Sequence, residues 1–249
     1  MDRVSYSSLH LDKPLELEAF FAILQLSDSS FPNGRYTHSF GVETFAQSGI
    51  LASPSSVGEL ATLLADWVRF GVTSSDAIAM ACAHRALSAL DLIDLKLVTA
   101  ADERLSAVKL ARESREASAR TGRAVLRTVG TIVSASPIRQ YGDLVHSGRT
   151  PGNNAIVMGL LSAWLGVPRL EALAGEIFAF CASWVAAAMR LGVADHVTAQ
   201  LVLHEVRPAC AKAAQKAVDG DVTDISSCTP LADVMAMRHE QAELRLFAS

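Results

Sequence analysis

The chain has 249 residues, half of them hydrophobic but only 6% aromatic, with a formal net charge of −4 and four cysteines. That length can bury one substantial core, and an alanine-rich, aromatic-poor composition favours packed helices over a sheet. A slightly negative chain has no global electrostatic drive toward nucleic acid or an anionic membrane surface.

Residues 1–14 are polar, end in Lys13-Pro14 and read as a loose arm ahead of a single helical domain, 15–249. They lack the apolar run of about 7–15 residues that a secretory leader needs, so a cytoplasmic location is expected. Leu17, Phe20, Phe21 and Leu24 recur at helical spacing. Phe31-Pro32-Asn33-Gly34 then supplies a fixed φ and an Asn-Gly pair able to take positive φ, which predicts a sharp bend. Pro32, Gly34 and Gly41 are its structural residues. A helix restarting near Thr37 or His38 and running to about Gln47 would set His38, Ser39 and Glu43 near orphan amide donors.

Ser56 and Glu59 form a capping-box pattern, followed by Val57, Leu60, Ala61, Leu64, Trp67 and Val68 at amphipathic spacing. Another helix is predicted from about Asp76, with Ala77, Met80, Ala81, His84 and Leu87 on one face; His84 there reads as a satisfied boundary histidine. A long helix is predicted from about Asp102 to Val133. Between Glu103 and Arg127 it carries seven basic and three acidic side chains. Arg112, Glu116 and Arg120 follow i, i+4 spacing, so this is a solvated, pair-laced face or else a surface for an acidic partner.

Ser136-Pro137 and Gly148 to Gly152 mark loops. From Gly152 to Gly192 only Arg169, Glu171, Glu176 and Arg190 are charged, and Leu165 to Pro168 splits the stretch into two helices. These read as a buried central pair that could also supply a dimer interface. Ile177 to Met189 is 13 uncharged residues, short of the ~20 that span a bilayer, and so a buried helix. Asp195 to Val218 continues in helix, residues 219–228 are turn-like, and Thr229-Pro230 opens a last helix as N-cap and first position. That helix is expected to end in Arg245-Leu246-Phe247-Ala248-Ser249, a terminus whose apolar residues dock on the chain's own body or on a partner. The predicted fold is an all-α, single-domain bundle of roughly ten helices, two of them central and buried, with a docking tail over about 229–249.

No phosphate loop, dinucleotide fingerprint, nucleophile elbow or HExxH pair is present. Cys82, Cys181, Cys210 and Cys228 contain no CxxC pair and read as reduced thiols. His196, Gln200 and His204 sit at successive i+4 steps but need ligands from elsewhere to hold a metal. No nucleophile has a local base, so no catalytic residue, metal site or tightly bound cofactor is assigned, and an assembly or adaptor role fits best. Two other classes stay open: an all-helical enzyme using His38, Glu43 and Arg112 on a small substrate, and a DNA-binding regulator exploiting Arg104 to Arg127.

Three stretches together resemble the urease accessory protein UreF family. The first holds Leu26, Ser29, Pro32, Gly34, His38, Ser39, Gly41 and Glu43; the second runs from Ala111-Arg112-Glu113 to Thr121-Gly122-Arg123. The third is Arg238-His239-Glu240 with Arg245-Leu246-Phe247 and Ser249. Asn33, Arg35, Asn153 and Asp195-His196 depart from the family's pattern. The resemblance implies an all-α homodimer without chemistry of its own, helping nickel into apo-urease. It would bridge the docking protein UreD, also called UreH, and the nickel-binding GTPase UreG, with the nickel handled by the partner complex. It implies docking-protein contacts at Arg238, His239, Arg245, Leu246 and Phe247, and the GTPase contact is expected on the dimer surface near His38, Glu43 and Arg190, with Ser39 a further partner-binding residue.

Overall fold

The computed structural model describes residues 15–32, 34–87, 92–132, 137–242 and 245–248; the predicted arm, Asn33 and Ser249 lie outside the described residues. The fold is all-α. Its helices are α1 (Leu17–Ser27), α2 (Val42–Gln47), α3 (Val57–Asp66), α4 (Ile78–Ala86), α5 (Leu95–Val108) and α6 (Arg112–Ile132), followed by α7 (Ile138–His146), α8 (Asn154–Trp164), α9 (Arg169–Arg190), α10 (His196–Ala217) and α11 (Pro230–His239).

Local signals explain most boundaries. Ser56 Oγ accepts from Glu59 N at 3.2 Å while Glu59 Oε2 accepts from Ser56 N at 2.9 Å, the reciprocal cap that starts α3. Asp195 Oδ1 accepts from Thr198 N at 2.7 Å to start α10, so this departure from the family pattern serves as an N-cap. His84 Nε2 lies 2.8 Å from the Val167 carbonyl, a satisfied boundary contact.

Two expectations change. The helices predicted on either side of residues 69–75 are one continuous rod, because Trp67–Ala77 joins α3 to α4 as a π-helical segment. Thr73, Ser74 and Ser75 hydroxyls donate to the carbonyls of Val68, Phe70 and Gly71, capturing backbone oxygens that the wider turn frees. Conversely, the predicted Asp102 to Val133 helix is two helices, α5 and α6. The chain turns extended at Lys109, where Arg115 Nη1 donates to the Lys109 and Leu110 carbonyls at 2.7 Å and Lys109 Nζ reaches Asp76 Oδ2 at 2.6 Å. No glycine or proline marks that break.

The core is built around α8, whose residues Asn154 to Ser162 are all buried between α4, α6 and α9. The α8 half of the predicted central pair therefore has no free surface for a dimer. Only α9 offers one: Trp184, Ile177 and Leu173 face inward, whereas Phe178 and Met189 are exposed. By length and composition α9 could cross a membrane, but half of its apolar stretch is buried in the fold.

Close backbone approach fixes the register of α6 on the α8 entry loop. A Cβ on Gly122 would sit 2.1 Å from the Gly152 carbonyl oxygen, so only glycine fits there. Beneath the same loop, buried Asp102 accepts from Tyr141 Oη (2.7 Å), Thr150 Oγ1 (2.7 Å), Gly152 N (2.8 Å), Asn153 N (3.0 Å) and Asn153 Nδ2 (2.7 Å). Asn153 also donates to Ser106 Oγ at 2.8 Å, which gives this second family departure a structural role.

Candidate functional site

The bend after α1 proceeds through a short 3-10 turn, Arg35–Thr37, and α2 starts at Val42, four residues beyond the latest predicted restart. Left-handed backbone at Gly34 (φ 80°), Phe40 (φ 52°) and Gly41 (φ 83°) turns the chain twice. A Cβ on Gly41 would meet the Trp67 ring at 3.2 Å. The second turn rotates Glu43, in the first turn of α2, into the interior, where it is fully buried.

A buried carboxylate needs partners, and the far end of the chain supplies them. Glu43 accepts from Leu246 N at 2.7 Å, Phe247 N at 3.2 Å and Gln47 Nε2 at 3.2 Å, and its Oε2 lies 3.0 Å from His239 Nε2. The opposite ring nitrogen, His239 Nδ1, lies 2.6 Å from Glu113 Oε2. Arg245 Nη1 donates to Glu113 Oε1 at 2.7 Å, and Glu113 N donates to Glu240 Oε1 at 3.1 Å. The imidazole thus lies between two carboxylates, and Arg245 adds a cation on the Glu113 side.

The tail also grips the bend directly. Ala248 N donates to the Thr37 carbonyl at 2.8 Å, Arg190 donates to the Tyr36 carbonyl, and the Arg190 guanidinium lies 4.0 Å from the Tyr36 ring centroid and 4.3 Å from that of Phe247. The last helix, expected to run to Ser249, instead stops at His239, because Glu43 takes the Leu246 and Phe247 amides and Glu113 takes Arg245, so that residues 245–248 lie as a non-helical strap across α2, α6 and the bend. The three sequence stretches that carry the family resemblance converge on this strap.

The structure separates the sequence-predicted site residues into two groups. His38, Ser39, Glu43, His239 and Phe247 are buried, while Arg190, Arg238, Arg245 and Leu246 are exposed, Leu246 at 79%. Residues outside the predicted set also take part: Glu113, Gln47 and Glu240 in the carboxylate cluster and Tyr36 beneath Arg190. Glu113 stands in the second resemblance stretch, but burial of one glutamate among neighbours such as exposed Glu116 leaves no mark in helical spacing.

Beside the strap lies a cavity of about 200 Å³, walled by the bend, the π-helical segment, α6, α9 and α11. Arg35 forms an ion pair with Glu176 there, and Asn154 Nδ2 donates to Glu176 Oε1 at 2.9 Å, so the departure at Arg35 closes one wall. Burial pulls the Arg35 guanidinium down to about 10. His38 also lines the cavity; burial, with the charges of Arg120 and Arg35, pulls its imidazole down to about 4. The enzyme alternative needs His38, Glu43 and Arg112 to converge. Glu43 instead faces the strap, and Arg112 is exposed, with its Nε 4.0 Å from Glu116 and 3.7 Å from Glu240. Among the described residues no group of three or more His, Cys, Asp or Glu side chains could hold a metal ion.

The family model for UreF matches residues 55–207. The chain is 30% identical to the urease accessory protein UreF of Corynebacterium glutamicum, covering 94% of this chain and all of that relative. It is 30% identical to UreF of Paenarthrobacter aurescens over 92% of this chain and 97% of the relative. It is 27% identical to urease accessory protein UreF 2 of Brucella canis over 93% and 92%. These relatives are named as accessory proteins, not enzymes, and the agreement extends over nearly the whole length, so the chain belongs to the UreF family.

Proposed function

We propose that this protein is a urease maturation factor that bridges the docking protein UreD/UreH and the GTPase UreG and so helps nickel enter apo-urease. The observation that carries this reading is the strap. A terminal segment held by two buried carboxylates presents Leu246 to solvent beside exposed Tyr36, Arg190 and Arg245. An exposed leucine rimmed by arginines and an aromatic ring has the composition of a docking anchor. The buried members, His38, Ser39, Glu43, His239 and Phe247, act by shaping that surface.

The chain works as a homodimer in the cytoplasm, without nucleic acid or a membrane. Exposed Leu17, Phe21 and Leu24 on α1 and Phe178 on α9 support self-association through this pair of packed helices. It holds no tightly bound cofactor, and nickel is carried by the partner complex. The test is a pull-down with this chain from cells expressing the urease accessory set, paired with urease activity after deletion of its gene. Recovery of both partners and loss of activity are expected; full activity in the deletion strain refutes the function.

A further inference from the structure

Cys181 on α9 and Cys210 on α10 place their sulfur atoms 3.6 Å apart, both as free thiols. That separation is van der Waals contact between two packed helices, and a disulfide needs the sulfurs to close to about 2.05 Å. We propose that Cys181 and Cys210 are a peroxide-responsive thiol pair that forms a reversible cross-link between α9 and α10.

The two sulfurs differ as such chemistry requires. Cys210 is half-buried, next to exposed Ala211 and three residues from exposed Arg207, so a small oxidant reaches it from solvent; Cys181 is buried behind it. The contact with Cys181 holds the Cys210 thiol below the ordinary cysteine range, while that same contact and burial push Cys181 up. The attacking sulfur is therefore Cys210. Its thiolate attacks one oxygen of hydrogen peroxide, the O–O bond breaks, and the departing hydroxide takes a proton to become water. The Cys181 sulfur then attacks the Cys210 sulfenic acid. An S–S bond forms, the S–O bond breaks, and the hydroxide leaves with the Cys181 proton as a second water. Two thiols are oxidised and one peroxide is reduced to two waters.

Neither remaining cysteine can substitute. Cys82 is buried on α4, its thiol pushed up by burial and its sulfur 3.6 Å from the Gly220 carbonyl. Cys228 is exposed with no second thiol beside it. The cross-link would fix the middle of α9, which carries Glu176 into the cavity wall and Arg190 onto the strap, against α10.

The experiment treats the full chain with a few equivalents of hydrogen peroxide, blocks free thiols with iodoacetamide and maps unreduced peptides by mass spectrometry. The expected product is one Cys181–Cys210 cross-linked peptide, lighter than the sum of its halves by two hydrogens and released by dithiothreitol, while Cys228 is still alkylated. In Cys181→Ala the expected product is Cys210 trapped as sulfenic or sulfinic acid with no cross-link. Cys210 alkylated throughout, or disulfide-linked dimers through Cys228 with Cys181 and Cys210 still reduced, overturns the proposal.

Discussion

His239 Nε2 lies 3.0 Å from Glu43 Oε2 although 196 residues separate them, and Glu113 closes the far side of the same imidazole at 2.6 Å. This contact joins the first turn of α2 to the last turn of α11 and anchors the strap that follows. Removing one partner from a buried charge cluster costs about 3–5 kcal/mol, because the others are left uncompensated. Glu43→Gln is therefore expected to lose stability in that range. It should also release the Leu246 and Phe247 amides, which hydrogen exchange would read as lost protection at those two positions. Unchanged protection would show that the strap does not depend on Glu43.

The same cluster alters how the tail can be probed. Cutting the chain before Arg238 removes His239 and Arg245 and leaves Glu43 and Glu113 buried without them. Such a truncation disturbs the core as well as the surface, so a point change at an exposed tail residue is the cleaner probe.

Gly122→Ala is expected to be severe. Its Cβ would meet the Gly152 oxygen at 2.1 Å and backbone atoms of Asn153 and Asn154 at 2.8 Å, none of which can swing aside. Overpacking of this kind costs about 3 kcal/mol, a fall in Tm of about 6–12 °C for a domain of this size. Gly142→Ala in α7, with open space around the site, is expected to gain about 0.5–1 kcal/mol from helix propensity. Thermal denaturation of the two variants side by side checks both signs.

His38 makes stability depend on pH in a defined window. Burial lowers its folded-state value to about 4, while the unfolded chain takes up the proton near 6.5. The contribution is complete above pH 6.5 and is lost as pH falls toward 4, because the unfolded state binds the proton first. Between pH 7 and pH 5 this amounts to about 2 kcal/mol. His84, also lowered by burial, acts in the same direction. Urea denaturation of His38→Asn at the two pH values is expected to show a smaller loss than the parent by about that amount; an identical loss would remove His38 from the acid limb.

Helices with strong local signals were legible in the sequence. Ser56 and Glu59 announced α3, the run behind Asp195 announced α10, and Pro230 at the first position announced α11, although the Thr229 side chain caps no backbone amide there, because such signals are properties of neighbouring residues. The π-helical join at Thr73 to Ser75 and the break at Lys109 were not legible. Each depends on contacts such as Lys109 with Asp76, 33 residues away. For the site, the resemblance picked out Glu43, His239 and Phe247, but it could not say that they bind one another. That follows only from a fold in which two carboxylates lose their water and the C-terminal strap supplies donors in exchange.

The central claim is that the strap presents a docking surface, and Leu246→Asp tests it most directly. The side chain is 79% exposed, so the change should move stability by no more than about 0.5 kcal/mol. A charge in place of an apolar docking anchor should cost about 2 kcal/mol of binding, roughly a thirty-fold weaker complex. The measurement is the affinity of the full-length variant for purified UreD/UreH, beside the parent chain and with circular dichroism to confirm the helical fold. A folded variant that binds about thirty-fold more weakly is the predicted result; a folded variant with parental affinity contradicts the account.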